Sequence, residues 1–136
     1  MRATAAKTQS KLEETPPKPR IKTFEELRPE VTEELLASIT ARIVDAFHPH
    51  KVILFGSYAY GTPHIYSDID LMVIMDSEET AIQRIRNVHA VGKISFLPMD
   101  VLVYTPAEVE TRLAMGDYFV QEILERGKVL YQRDAT

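Results

Sequence analysis

Asp68 and Asp70 stand two residues apart in the stretch LFGSYAYGTPHIYSDIDLMVI at residues 54–74, and a Gly56-Ser57 pair precedes them by ten residues. In an extended strand residues i and i+2 share a face, so the two carboxylates project side by side, about 6.6 Å apart along the backbone. Like charges that close repel each other unless a cation sits between them. Magnesium meets that need, because it takes hard oxygen ligands and commonly binds one or two carboxylates together with substrate phosphates. On this reading the strand provides rigidity and its mouth holds metal.

Gly56 falls where the preceding apolar segment, KVILF, gives way to a polar loop. Lacking a side chain, it lets the backbone come close to a phosphate, and the following N–H groups and the Ser57 hydroxyl can donate to phosphate oxygens. If SYAYG opens a short helix, its N-terminus also favours an anion. A phosphate-binding turn beside a metal-binding strand mouth describes nucleotidyl transfer, in which metal bridges a triphosphate and stabilises the pyrophosphate leaving group. Such chemistry wants a third carboxylate near the attacking hydroxyl, as metal ligand or base. Asp100, at the start of the segment MDVLVY, is the candidate.

Each feature also has a plainer reading. Gly-Ser is a common turn, and Asp-x-Asp is often a solvated strand end. The combination at fixed spacing is what points to chemistry. Ser67 reads equally as a turn residue or a functional one. His48, His50, His64 and His89 show no spacing joined to a third ligand and read as surface or turn residues, with His64 alone in the loop where it could touch nucleotide. Tyr58 and Tyr60 can stack on a base or pack the loop; Met72, Met75 and Met99 read as core.

These residues need elements to hold them. Residues 1–22 have few large apolar side chains and three prolines at 16–19, so a flexible tail is expected, with the folded domain spanning 23–136. Thr23 and Glu26 form a possible capping box for a short turn that Pro29 restarts. Val31, Leu35, Ile39, Ile43 and Phe47 recur every four residues, which predicts an amphipathic helix over 30–47. KVILF and IDLMVIM are continuous apolar runs that suit strands covered on both faces. Asp76 and Glu79 predict a capped helix from about 77 to 91, with Ile82, Ile85 and Val88 inward and Gly92 as its stop. MDVLVY is a third strand. Thr105, Pro106 and Glu108 combine N-cap, N1 proline and N3 glutamate for a helix to about Met115, ended by Gly116. Asp117 can cap a last helix to Arg126, Gly127 closes it, and KVLY reads as a final strand or extended tail. Alternating helices and strands imply an α/β sandwich on a small mixed sheet.

Composition narrows the partners. Sixteen Lys and Arg against twenty Asp and Glu leave a net charge of -4, so no global basic field draws the chain to nucleic acid or an anionic membrane. The absence of cysteine removes disulfides and thiolate chemistry and fits a reducing cytoplasm. No apolar run reaches a membrane span, and the N-terminus lacks the apolar core of a secretory signal, while Glu13 and Glu14 argue against a transit peptide.

GSYAYG, SDIDLMV and MDVLV resemble the minimal nucleotidyltransferase family of the DNA polymerase β-like superfamily, whose signature is Gly-Ser, ten residues, Asp-x-Asp and a later Asp on a neighbouring strand. The likeness covers about residues 30–131 and includes the closing EILERGKVLY. It implies an α/β (α+β) polymerase-like palm in which Gly56 and Ser57 bind the triphosphate of ATP, Asp68 and Asp70 bind magnesium, and Asp100 completes the site. One departure stands out: many relatives carry Arg shortly after Gly-Ser, where this chain has Tyr58 and Tyr60. Positive charge would then come from elsewhere, with Arg84 and Arg86 as candidates.

The folded part is short for a protein that must hold two substrates. The acceptor hydroxyl is therefore expected on another molecule or across a homo-oligomer. In the family resembled, the usual partner is a small helical toxin of the HEPN class, and the nucleotidyltransferase acts as antitoxin by transferring AMP onto a toxin tyrosine. Two alternatives are a non-catalytic nucleotide-binding module that neutralises a partner by contact, and a stand-alone enzyme that adenylylates a small molecule.

Overall fold

The computed structural model describes residues 16–134, so most of the expected tail, residues 1–15, lies outside the described part; residues 16–22 are exposed and without regular structure. A one-turn helix, α1 (Phe24–Leu27), begins at Thr23, whose hydroxyl accepts the Glu26 N–H. The helix α2 (Glu33–Phe47) starts three residues later than its apolar period suggests, because Thr32 is the N-cap and accepts from Leu35 N–H. Next come β1 (Lys51–Phe55), a single 3-10 turn at Gly56–Tyr58, and β2 (Ile69–Ile74). The chain continues through α3 (Ala81–Gly92), β3 (Met99–Tyr104), α4 (Pro106–Ala114), α5 (Tyr118–Arg126) and β4 (Lys128–Gln132).

The four strands form one mixed sheet in the order β3-β2-β1-β4, with β1 antiparallel to both neighbours and β2 parallel to β3. Side chains alternate between two apolar layers. Val52, Leu54, Leu71, Val73, Val101 and Val103 face α2 and α3, packing on Leu36, Ile39, Ile43 and Val88. Ile53, Phe55, Met72 and Ile74 face the other way, onto Val109 of α4 and Val120 and Ile123 of α5. Cover on both faces is why β1 and β2 read as unbroken apolar runs. Met72, Met75 and Met99 are all buried.

Helix α3 departs from its expected form. Its N-cap is Thr80 in a capping box with Gln83, not Asp76 with Glu79. Asp76 is held by His50 at 2.9 Å and Glu79 accepts from Asn87 at 2.8 Å, so neither is available at a helix start. The later start rotates the buried face: Val88 stays inside, Ile82 is 69% exposed and Arg84 is 5% exposed. Gly92 does not act as a left-handed stop. It is the last helical residue, where a Cβ would press on Ile43 Cδ1 and Met99 Cε at 3.2 Å each, so glycine there lets α3 close on α2 and β3.

Arg84 owes its burial to Glu108, which takes both arms of the guanidinium at 2.7 and 3.1 Å and also accepts the Thr105 N–H at 2.8 Å within the α4 capping box. First the Arg84 hydrogen bond and then the Thr105 backbone bond hold the Glu108 carboxyl down at about 2. Glu108→Gln keeps the cap and removes the charge. It is expected to destabilise the chain by roughly 2 kcal/mol, less than a fully buried pair because Glu108 is 43% exposed. A carboxylate whose folded value lies below its ordinary 4.5 stabilises the fold fully above 4.5 and progressively loses that contribution as pH falls towards 2. Urea denaturation across that window should show an acid limb in the wild type that is flatter in Glu108→Gln; equal slopes would sink the assignment.

Candidate active site

Strand register brings the candidate residues together. Asp70 shares a face with Met72 and Ile74, and it pairs across β1 with Phe55 and across β3 with Asp100. The two carboxylates are thus neighbours at the N-terminal ends of parallel strands. Asp68 sits one residue before β2, in step with Asp70. Their proximity has an electrostatic signature: burial first, then the charges of Asp100 and Asp68, push the Asp70 carboxyl up from its ordinary 3.8 to about 6.

Gly56 follows Phe55 and so lies beside Asp70. Its φ of +74° is left-handed, and a Cβ there would run into the Asp70 carboxylate oxygen Oδ2. Glycine is required on both counts. The Gly56 carbonyl accepts the N–H groups of Ala59 and Tyr60 at 3.0 Å each, closing the turn. Gly61 closes it further, since a Cβ there would meet the Ser57 Cα at 2.7 Å. The first N–H groups of such a turn have no partner within it and can meet an anion.

Among the described residues no group of three or more His, Cys, Asp or Glu side chains is placed to hold a metal ion. The carboxylates are nonetheless of the hard oxygen donor type that magnesium takes. Asp70 and Asp100 stand at an open cavity, Asp70 is raised by its burial and by the charges of Asp100 and Asp68, and magnesium ordinarily leaves part of its shell to water and phosphate.

A cavity of about 550 Å³ opens beside Asp70 and Asp100, walled by Phe55, Ile85, His89 and Phe119 among others. Phe55 and Phe119 meet edge to face at 5.8 Å. His89, which its spacing left among surface and turn residues, is therefore part of the cavity wall; the Ile85 to His89 step on one helix face was the signal for it. A slightly larger groove of about 600 Å³ between α2 and β4 carries none of the candidate site residues.

The loop between Gly-Ser and Asp-x-Asp is internally tied. Ser67 is buried and serves the turn: its Oγ accepts the His64 N–H at 2.8 Å, and its own N–H donates to the His64 carbonyl at 2.9 Å. The expected source of positive charge is corrected. Arg84 is locked on Glu108 at the far ends of the strands, and Arg86 is exposed on α3. Instead, each tyrosine after Gly-Ser is met by an arginine from elsewhere. Arg28 donates to the Tyr58 hydroxyl at 2.9 Å, and the Arg126 guanidinium lies over the Tyr60 ring at 4.6 Å. Neither partner has a local sequence signal, because each pairing spans tens of residues.

A four-stranded mixed sheet flanked by helices, with a glycine turn folded against a carboxylate pair, is the frame of a nucleotide-transferring palm. The family model described as a nucleotidyltransferase domain matches residues 37–130, and this chain belongs to that family. No curated protein matches the chain. Among solved structures, a protein from Sulfolobus solfataricus provisionally described as a nucleotidyltransferase is similar at 19% identity and a TM-score of 0.54, over 74% of this chain and 80% of that one. That likeness is one of fold. Two further structures are similar at lower scores. One is described as a toxin-antitoxin with AMP-PNP (21% identity, TM-score 0.46, 72% of this chain and 74% of that one). The other is a mutant of the toxin-antitoxin MntA-HpeT (19% identity, TM-score 0.44, 76% of each chain). Among the described residues no helix is long and apolar enough to cross a membrane.

Proposed function

We propose that this chain is a magnesium-dependent nucleotidyltransferase that moves AMP from ATP onto a hydroxyl of a partner protein, a tyrosine of a small helical HEPN-class toxin, and acts as its antitoxin. The observation that carries the transfer reading is Asp70, raised by its own burial and by the charges of Asp100 and Asp68, directly beneath the Gly56 turn. The choice of toxin and tyrosine rests on the sequence resemblance.

Bound metal would neutralise phosphate charge and lower the cost of ionising the acceptor hydroxyl. Asp68 and Asp70 would hold it, and the Gly56-Ser57 turn would donate its N–H groups and hydroxyl to the triphosphate tail. Asp100, exposed at the cavity mouth, takes the proton of the attacking hydroxyl as the new oxygen–phosphorus bond forms and pyrophosphate leaves. The apolar cavity walls suit an aromatic acceptor, since Phe55 and Phe119 can flank a ring whose hydroxyl faces the carboxylates.

Intact-mass spectrometry on the partner, co-expressed with wild-type chain and with Asp100→Asn, tests the proposal. A gain of one or more AMP with the wild type, and its loss with the variant, is expected. Full neutralisation of the toxin with no mass gain in either case would replace catalysis by contact inhibition.

A further inference from the structure

Arg28 ends α1, outside the stretch 37–130 that defines the family. Its Nη2 donates to the Tyr58 hydroxyl and to the carbonyl oxygen of Ser67. These acceptors are the two ends of one loop. Tyr58 follows Ser57 of the phosphate turn, and Ser67 precedes Asp68 of the carboxylate pair. Ser67 is itself fixed by its two bonds to His64, so what Arg28 grips is a rigid turn.

Two further contacts fix α1, one to the same loop and one to the connection between α3 and β3. The Tyr66 hydroxyl donates to the Glu25 carboxylate at 3.0 Å, and Phe24 packs edge to face on Phe96 at 6.3 Å. The other arm of the guanidinium gains nothing in return for its burial: Nη1 is buried with no hydrogen-bond partner among the described residues. Leaving a buried donor unmade opposes folding, so fold stability alone gives little reason for arginine at this position. Its reach does, because the two N–H groups of the one nitrogen Nη2 meet both acceptors at once.

We propose that Arg28 is a positioning residue that staples the two ends of the 56–68 loop, and thereby sets the spacing between the Ser57 turn and Asp68 before nucleotide arrives. The proposal rests on the reading of that turn and those carboxylates as the nucleotide site. Strand pairing closes the loop at Phe55 and Asp70, but the residues just inside that pair, from Ser57 to Asp68, would otherwise be free to shift and binding would have to restrain them; a pre-set loop removes that restraint from the binding step. In this arrangement Arg28 acts through Tyr58 and Ser67.

The test uses the full chain with Arg28→Met, Arg28→Lys and Tyr58→Phe. Amide hydrogen exchange without nucleotide reads the staple directly. Residues 57–60 and 66–69 should lose protection in Arg28→Met while the rest of β1, β2 and β3 keep theirs; Tyr58→Phe should loosen the first end alone. Titration with ATP and magnesium reads the consequence: affinity about tenfold weaker in Arg28→Met, with Arg28→Lys in between, at nearly unchanged melting temperature. A folded Arg28→Met chain with wild-type exchange in the loop would overturn the proposal. So would a loosened loop with wild-type affinity. A wild-type chain that binds no ATP would overturn the reading of the site, and the exchange data would then judge the staple alone.

Discussion

Asp70→Asn is expected to abolish nucleotidyl transfer, by at least about a thousandfold, and at the same time to raise the melting temperature at neutral pH. The two effects have one cause. Burial and the facing charges of Asp100 and Asp68 make the ionised form of Asp70 unfavourable in the folded chain, and asparagine removes that penalty with the metal ligand. Asp70 is partly open to solvent, so the gain is discounted to about 1 kcal/mol, or about 3 °C for a domain of this size. Its folded value of about 6 exceeds the ordinary 3.8, so stability is full below 3.8 and falls as pH rises through 6. The stability gap between variant and wild type should therefore vanish near pH 4 and open by pH 7. Magnesium should narrow it by stabilising the wild type alone. Thermal denaturation across pH, with and without magnesium, is the measurement; an Asp70→Asn chain less stable than wild type at pH 7, or one that still turns over, contradicts the assignment.

The second large effect is at Gly56. Alanine there must hold a left-handed φ of +74° and also displace Asp70, whose carboxylate occupies the space of the new methyl. Gly116 provides the internal control, with φ +78° and nothing within 4 Å of an added Cβ. Gly116→Ala should cost about 1 kcal/mol from backbone strain alone and leave activity intact. Gly56→Ala should cost more, about 3 kcal/mol, and weaken both metal and nucleotide binding at least tenfold. Combining Gly56→Ala with Asp70→Ala removes the clash, so the pair should be more stable than the sum of the single changes predicts. Additive denaturation energies in that cycle would mean that the turn and the carboxylate do not touch.

Sequence patterning revealed the strands and the candidate carboxylates for a physical reason. A strand buried on both faces must be apolar along its length, so Asp68 and Asp70 stand out against Ile69, Leu71 and Met72. Caps were legible where side chain and backbone signal agreed, as at Thr105 and Glu108. They misled at Asp76 and Glu79, which were engaged by His50 from across the fold and by Asn87 of α3 itself. The same blindness to distant partners hid Arg28 and Arg126. Their roles are set by Tyr58 and Tyr60, which no local period connects to them. Arg84 looked like spare positive charge because burial of an arginine is decided by its partner, here Glu108 on another helix.

The parallel pairing of β2 with β3 bears on how the chain folds. Joining β1 to β2 closes only the 56–68 loop, whereas Asp100 meets Asp70 only after residues 75–98 have crossed over and docked as α3. Contacts made across so long a span form late, after the entropy of closure has been met. Register is then all or nothing, because a slip of one residue would turn Asp100 to the opposite face and Val101 out of its layer. The electrostatic coupling that raises Asp70 therefore comes into being when β3 docks on β2, and its titration can serve as a kinetic clock for that step, separate from the still longer-range pairing of β4 with β1.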